Sequence, residues 1–582
     1  MTYRVAFAIS GAVSLGSYEA GTVYEIIRAF AEHNNSLPEG SDQRIAIDVL
    51  TGASAGGMTA ALIAHKLLYD PDLLNGETTN AGYQAWVEKV DIDGLLTPHQ
   101  GDFPRTSLLS SNFVGKIAED LIINRHTNSQ INTSGPHNSA ADTIHLGLAM
   151  SNLNGVDYKV KVFSTSKEGL DQGDFVQTRF QDRVTEKLTN NYSEQQWQEI
   201  IMACRGCGAF PLAFSPIKLI RNWQRHADDY ANRGASPFDE ANPNADTDFY
   251  YMDGGAFNNY PLGMARTLSD RVDKTPQDYE NRYYFYISPN PKTSVRSATF
   301  KVDESTSMTE TAMQMVQSIF WQGRFQEWMQ IDSVNERVKR LDERAENLLE
   351  MLQTSTDLVA PLDNAFDDFL LVLYKGQQAQ LTADLARLEL AYCNTPALKQ
   401  LPLLLKNAWI KGVVLLEKSG DLNNRESMKV YTITATDAEL ASEPLAAFLG
   451  FLDKRLREHD YLLGRIRGMQ VVEHILEQRA NPNAKGDHLP LNVASRANQI
   501  SEEKIKLLAM DLSEIKMEKV DKENREAFYR RIRTRLSEWL DNEGVGGMWN
   551  KGLVLASKKY LKPLLAIENK KLFGIRMPWW YS

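Results

Sequence analysis

Gly52-Ala53-Ser54-Ala55-Gly56 is the stretch best suited to chemistry. A serine hydroxyl becomes a nucleophile when a base takes its proton and nearby donors stabilise the oxyanion it creates. Gly-x-Ser-x-Gly spacing lets a sharp strand-to-helix turn lift the serine oxygen clear of the backbone, and side chains at Gly52 and Gly56 would crowd that turn. The bare pattern also recurs by chance in chains of this length. Its setting gives it meaning: Ile45 to Leu50 reads as a buried strand before it, and Met58, Ala61, Leu62 and Leu68 as an apolar helix after it. The N-terminus of that helix brings free N–H groups and a positive dipole end beside Ser54.

Two more loops follow strand-like runs. Gly11-Ala12-Val13 comes after Val5 to Ile9, and Asp253-Gly254-Gly255 after Phe249 to Met252. In a parallel sheet the C-terminal ends of the strands share one edge, where ligands bind. Ser54 is then the candidate nucleophile and Asp253 the candidate base. The backbone N–H groups of Gly11, Ala12 and Val13 are candidate oxyanion donors, and Gly254 and Gly255 keep the turn after Asp253 tight. A carboxylate near its ordinary pKa of about 3.9 is a weak base, and a dry site makes it a better one. A Ser–Asp–His arrangement stays open. The histidines after residue 253 are His459, His474 and His488. For His459 and His474 a structural role is the plainer reading.

The elements that must position these loops read as strand, helix, strand, helix within 70 residues, the mark of a parallel α/β sheet. Thr143 to Met150 reads as a further strand. Tyr158 to Phe163 alternates as a half-exposed strand, with Asn154-Gly155 as the turn before it. Glu194 to Cys204 reads as a helix, and Arg282 to Ile287 as the last strand of the sheet. After about residue 295 the pattern becomes helical. Ile331, Val334, Val338, Leu341, Ala345, Leu348 and Leu352 form one apolar stripe. Ala379–Leu390, Leu445–Ile466, Met469–Gln478 and Ile500–Trp539 are helical by pattern, and Leu401 to Leu416 reads as a core helix or a lid. The expected architecture is a mainly parallel sheet sandwiched by helices over 1–295, then a mostly α-helical domain over 296–582.

Composition excludes other classes. The chain has 582 residues and a formal charge of -11, with no Lys/Arg block, which argues against a nucleic-acid binder. Three cysteines give no disulfide framework and suit a reducing compartment. Cys204-x-x-Cys207 has no second pair to complete a zinc site, so no metal and no cofactor are expected. The carboxylates between His226 and Asp248 read as a solvated loop. No apolar run reaches the length of a membrane span, and Met1-Thr2-Tyr3-Arg4 lacks the pattern of a signal peptide. A cytoplasmic protein is expected, with contact at a membrane surface left open. That contact would come from the basic, aromatic tail Lys558 to Tyr581, which suits an anionic lipid surface unless its tryptophans fold back on the domain.

Taken together, the Ser54 elbow, the glycine loop after the first strand and the Asp253-Gly254-Gly255 motif resemble the patatin-like phospholipase family. Arg205-Gly206-Cys207-Gly208-Ala209-Phe210-Pro211-Leu212-Ala213-Phe214-Ser215-Pro216 is similar to the family's small-residue stretch before its aspartate. The resemblance covers roughly residues 3 to 290. It implies a Ser54–Asp253 dyad without histidine, and hydrolysis of lipid acyl esters through an acyl-enzyme, without a metal. One position departs. The family's loop runs Gly-Gly-Gly-x-Arg/Lys-Gly, whereas here Leu15 stands at the basic position of Gly11-Ala12-Val13-Ser14-Leu15-Gly16. That variant, with Ser442 to Phe448 and Gly450 to Arg465, is similar to bacterial patatin-related proteins that carry a long helical extension. The competing reading is a catalytically silent scaffold whose helical half binds a partner; the altered loop supports it, and the retained Ser54 and Asp253 oppose it.

Overall fold

The computed structural model of the chain describes residues 2–102, 106–126, 135–166, 169–211, 213–230, 245–257, 261–289, 343–375, 378–393, 401–419, 428–436, 439–442, 449–480, 488–510 and 534. The tail from Lys558 to Tyr581 and the start of the apolar stripe, Ile331 to Leu341, lie outside these residues, as does most of the segment from 511 to Trp539. Contacts divide the chain into two compact units. One holds the described residues within Met1–Ser269, Tyr283–Glu327 and Val430–Ser582; the other holds those within Asp270–Arg282 and Trp328–Lys429.

The first unit is built on an eight-stranded, mixed, mostly parallel sheet with flanking helices. Its strands are β1 (Tyr3–Ile9), β2 (Ile45–Gly52), β3 (Ala140–Ser166), β4 (Gly169–Leu188), β5 (Ile217–Arg221), β6 (Thr247–Asp253), β7 (Arg282–Ser288) and β8 (Val430–Thr434). The order across the sheet is β5-β6-β3-β2-β1-β7-β8, with β4 paired to β3. β1, β2 and β3 run parallel, as do β7 and β8, while β6 lies antiparallel to β3. All eight residues of β2 and all seven of β7 are buried. That is why these strands carry continuous apolar runs rather than alternation.

Two local expectations are corrected. β7 is not the last strand, because β8 from the second half of the chain pairs with it from Tyr284–Val430 to Ser288–Thr434. Asn154-Gly155 makes no turn. β3 runs through it, and its register on β4 shifts between Ser151 and Val156, with Gly155 at φ +74°. A bulge absorbs the left-handed glycine that the dipeptide pattern assigns to a hairpin.

Helix α1 (Gly16–Ser36) follows the β1 loop, α2 (Ala55–Tyr69) follows Ser54, and α3 (Glu194–Cys207) begins with a capping box from Ser193 and Gln196. In the second unit α4 (Val359–Leu373), α5 (Gln378–Cys393) and α6 (Leu403–Ser419) enclose a separate core. Leu405, Trp409, Val413 and Val414 of α6 are buried in it, with Ala345 and Leu352 from the described end of the apolar stripe. The Leu401–Leu416 segment is therefore a core helix.

Helix α7 (Lys454–Ala480) belongs to the first unit and packs along α1. The two backbones approach so closely that a side chain on Gly464 would strike the Tyr18 carbonyl, and one on Gly21 the Tyr461 carbonyl. Thr22 Oγ1 donates to the Gly464 carbonyl at 3.1 Å, and buried Arg465 pairs with buried Glu25 at 2.8 Å. The sequence reads two helices, Leu445–Ile466 and Met469–Gln478; among the described residues the break falls instead at Asp453, between Leu449–Leu452 and α7, and α7 runs unbroken through Gly468, which sits against α1. Gly464→Ala must push the helices apart and should cost about 1–3 kcal/mol. Thermal unfolding of the variant should show a lowered midpoint; an unchanged midpoint contradicts the close packing.

Candidate active site

Ser54 occupies a strained turn. Its φ of 51° and ψ of -126° lie outside the helical and strand regions, and it is one of two described non-glycine residues at positive φ. Strain of this kind costs on the order of 1–3 kcal/mol and persists only where the surroundings enforce it. Here β2 is wholly buried on one side of the turn and α2 is packed on the other. A side chain on Gly56 would strike the carbonyls of Ile9 and Ser10, and one on Gly52 would strike Gly56 itself. The Ala53 N–H donates to the Ile9 carbonyl at 3.1 Å. The elbow and the end of β1 are thus locked together without intervening side chains.

The other positive-φ residue is Val13, at 52°. It opens the single turn Val13–Leu15 directly before α1. Gly11 and Ala12 are buried beside it. Among the described residues none accepts a hydrogen bond from the N–H of Gly11, Ala12 or Val13. Leu15, at the position of the family's basic residue, is buried in the core.

Asp253 ends β6 and is 2% exposed. Its Oδ2 accepts from Ser54 Oγ at 2.6 Å, and its Oδ1 accepts from the Gly255 N–H at 2.7 Å. Its own N–H donates to the Ala209 carbonyl at 2.9 Å, and its carbonyl accepts from Ser151 Oγ at 2.7 Å. Gly254 lies against the Ala149 carbonyl with no room for a side chain. The carboxylate is held on both oxygens while its backbone is tied to two neighbouring segments. Among the described residues no histidine bonds to Ser54: His459 pairs with Asp460 at 3.1 Å, and His474 with Gln478 at 2.8 Å.

Beside Ser54 opens a cavity of about 120 Å³. It follows α2 from Ser54 through Met58 to Leu62, about 12 Å at 1.5 Å per residue. Trp86, Leu121 and Phe214 line it, as do Val13 from the first loop and Phe451 from the second half of the chain. The lining is overwhelmingly apolar. Trp86 spends its one polar atom on Thr59 Oγ1 at 3.0 Å. Of the apolar wall, Phe210 and Phe214 fall in the small-residue stretch before Asp253 and Phe451 in the Gly450 to Arg465 stretch, while Trp86 falls in no motif.

Residues 7–266 match the family model of the patatin-like phospholipases. That stretch is similar to a patatin-like phospholipase domain. The matched stretch contains Ser54, Asp253 and the first loop. An uncharacterized protein of Sinorhizobium fredii is 29% identical over 182 residues, covering 27% of this chain and 25% of that protein. The alignment thus spans about a quarter of the curated relative's length. Among the described residues no helix is long and apolar enough to cross a membrane, and no three His, Cys, Asp or Glu side chains group as metal ligands.

Cys207 lies directly beneath the elbow, with Sγ 3.9 Å from the carbonyls of Gly52 and Ser54. Burial pushes the Cys204 thiol up to about 12, and burial, reinforced by Asp253, raises Cys207 well above its ordinary value. Thiolate is the reactive form. At about pH 8 iodoacetamide should leave both cysteines of the native patatin-like domain unmodified and alkylate both in denaturant, as read by peptide mass spectrometry. Rapid native labelling of Cys207 contradicts the packing under Ser54.

Proposed function

We propose that the chain is a serine acyl hydrolase of lipid esters, of the phospholipase A or lysophospholipase type. In this reading Ser54 is the nucleophile and Asp253 its base. The 2.6 Å bond between Ser54 Oγ and Asp253 Oδ2 carries the reading. Ser54 Oγ attacks the ester carbonyl while its proton passes to Oδ2. The oxyanion so formed takes N–H groups from the Gly11-Ala12-Val13 loop, each such donor typically worth about 10²–10³ in rate. Asp253, now protonated, returns its proton to the leaving alcohol and leaves an acyl-enzyme on Ser54. Water then attacks, giving its proton to Asp253, which passes it to Ser54 Oγ as the Ser54–acyl bond breaks and the fatty acid departs. The Gly255 N–H holds the second carboxylate oxygen, so the first stays aimed at Ser54 through both half-reactions.

The apolar cavity supports a fatty acyl chain as the group transferred to Ser54. A lipid-ester substrate also brings the protein to a membrane surface. A fluorophosphonate probe should label the wild type, and Ser54→Ala should lose both labelling and turnover. Failure to label would favour the silent scaffold. Asp253→Asn keeps an acceptor for the Gly255 N–H but cannot take the serine proton. Its kcat should fall by about 10²–10⁴ with an almost unchanged melting temperature; wild-type turnover by this variant rejects Asp253 as base. Incubation with mixed liposomes, followed by mass spectrometry of the released species, identifies the ester.

A further inference from the structure

Phe451 is a wall of the cavity that lies in the Gly450 to Arg465 stretch, far in sequence from Ser54 and Asp253. The family match ends at residue 266, yet Phe451 lines the cavity that contains Ser54 and Val13, and it is 6% exposed. It sits in the short helix Leu449–Leu452, which is held from three directions. Gly450 lies so close to the hydroxyls of Ser14 and Ser442 that a side chain there would strike both. The Gly450 carbonyl accepts from Arg457 Nη1 at 2.6 Å, while Arg457 Nε and Nη2 donate to the Val87 carbonyl at 3.1 and 2.9 Å. Val87 follows Trp86, itself a wall of the cavity. Fully buried Asp460 accepts from the N–H groups of Ala441 at 2.7 Å and Ser442 at 3.0 Å.

A single buried guanidinium therefore ties the Trp86 wall to the Phe451 wall, and the Phe451 wall leans on the turn that follows the oxyanion loop. This bears on where along the cavity Phe451 acts. Gly450, next to Phe451, lies against Ser14 of the Val13–Leu15 turn, and Val13 and Ser54 line the same cavity, which sets Phe451 toward the Ser54 end. Leu121, whose carbonyl accepts from Lys66 near the other end of α2, stands at the far end. An acyl chain attached to Ser54 would meet Phe451 at its first carbons and Leu121 at its last.

We propose that Phe451 determines acyl selectivity at the carbon next to the scissile carbonyl. It admits straight chains and turns away those branched at that carbon. The inference rests on the hydrolase reading above. A close-packed aromatic wall has no slack for an added methyl group, and discrimination of one such group in an apolar pocket is worth about 10–200-fold. Truncation of the ring opens a void that the branch can fill.

The test uses the full chain as wild type, Phe451→Ala, Phe451→Leu and Phe451→Trp. Each is assayed on p-nitrophenyl esters of a straight-chain acid and of its 2-methyl-branched counterpart. Ser54 labelling by a small fluorophosphonate and the thermal midpoint are measured in parallel. The ratio of kcat/KM for branched over straight ester should rise about tenfold or more in Phe451→Ala, rise less in Phe451→Leu and fall in Phe451→Trp. Phe451→Leu keeps most of the apolar volume and carries the comparison if the alanine variant does not fold. A ratio that stays constant across folded, labelled variants overturns the inference alone, even if both activities drop, because that pattern describes packing without selection. A folded wild type that hydrolyses neither ester and takes no probe overturns the hydrolase reading and this inference together.

Discussion

The site depends on one close approach, the first turn of α2 seated against the end of β1. With no side chain at Gly56, backbone meets backbone there, and the Ala53 N–H reaches the Ile9 carbonyl. Three consequences follow from that seat. Ser54 is driven into a left-handed conformation that turns its hydroxyl outward. The loop after β1 is brought beside the elbow. Helix α2 is aligned so that its N-terminal N–H groups and its apolar face serve the same cavity. A methyl group at Gly56 would disturb all three at once, which is why the glycine matters more to this site than any single lining residue.

Holding Ser54 in that conformation costs free energy, and the surroundings offset the cost through burial. β1, β2 and β7 lie side by side with almost no exposed surface, and burial of apolar area contributes about 25 cal/mol per Å². The Asp253 end of the site is fixed differently. β6 runs antiparallel to β3, and its last residue is pinned by Ser151 and by the Ala209 carbonyl rather than by an apolar strand run. The nucleophile is therefore positioned by packing and the carboxylate by hydrogen bonds. Packing tolerates small losses poorly but in a graded way. A buried polar network loses its alignment when one partner is removed.

Most of the first unit was legible in the residues because its signals are local. The continuous apolar runs at Val5–Ile9 and Ile45–Leu50 are β1 and β2, and the elbow between strand and helix lies where the glycines put it. Asn154-Gly155 misleads because a left-handed glycine serves a bulge as readily as a turn, and only the partner strand decides which. β8 is missed for a related reason. A five-residue strand in a helical half carries too short a pattern to stand out, and its existence depends on β7 offering a free edge. The candidate polar residues, Ser54 and Asp253, are named from the elbow motif and from loops at one sheet edge, and the fold brings them within 2.6 Å. That Trp86, Phe214 and Phe451 share a cavity wall was not legible, since Trp86 belongs to no motif and the stretches holding Phe214 and Phe451 give no sign of a cavity until the fold sets them beside Ser54.

The second half of the chain is not uniform in what it does for the fold. Residues around α4, α5 and α6 bury one another in a core of their own. β8, the short helix at Leu449–Leu452 and α7 instead complete the first unit. They add a strand to its sheet, a wall to its cavity and a cover to α1. The contacts to α1 explain why α7 is poor in alternation between polar and apolar faces. Its glycines and its Arg465 are chosen for what α1 presents, a backbone and a buried carboxylate, rather than for solvent on one side and an apolar core on the other. A helix built to fit another helix this closely transmits displacement directly. α7 packs along α1, and α1 begins just after the loop that carries the candidate oxyanion donors.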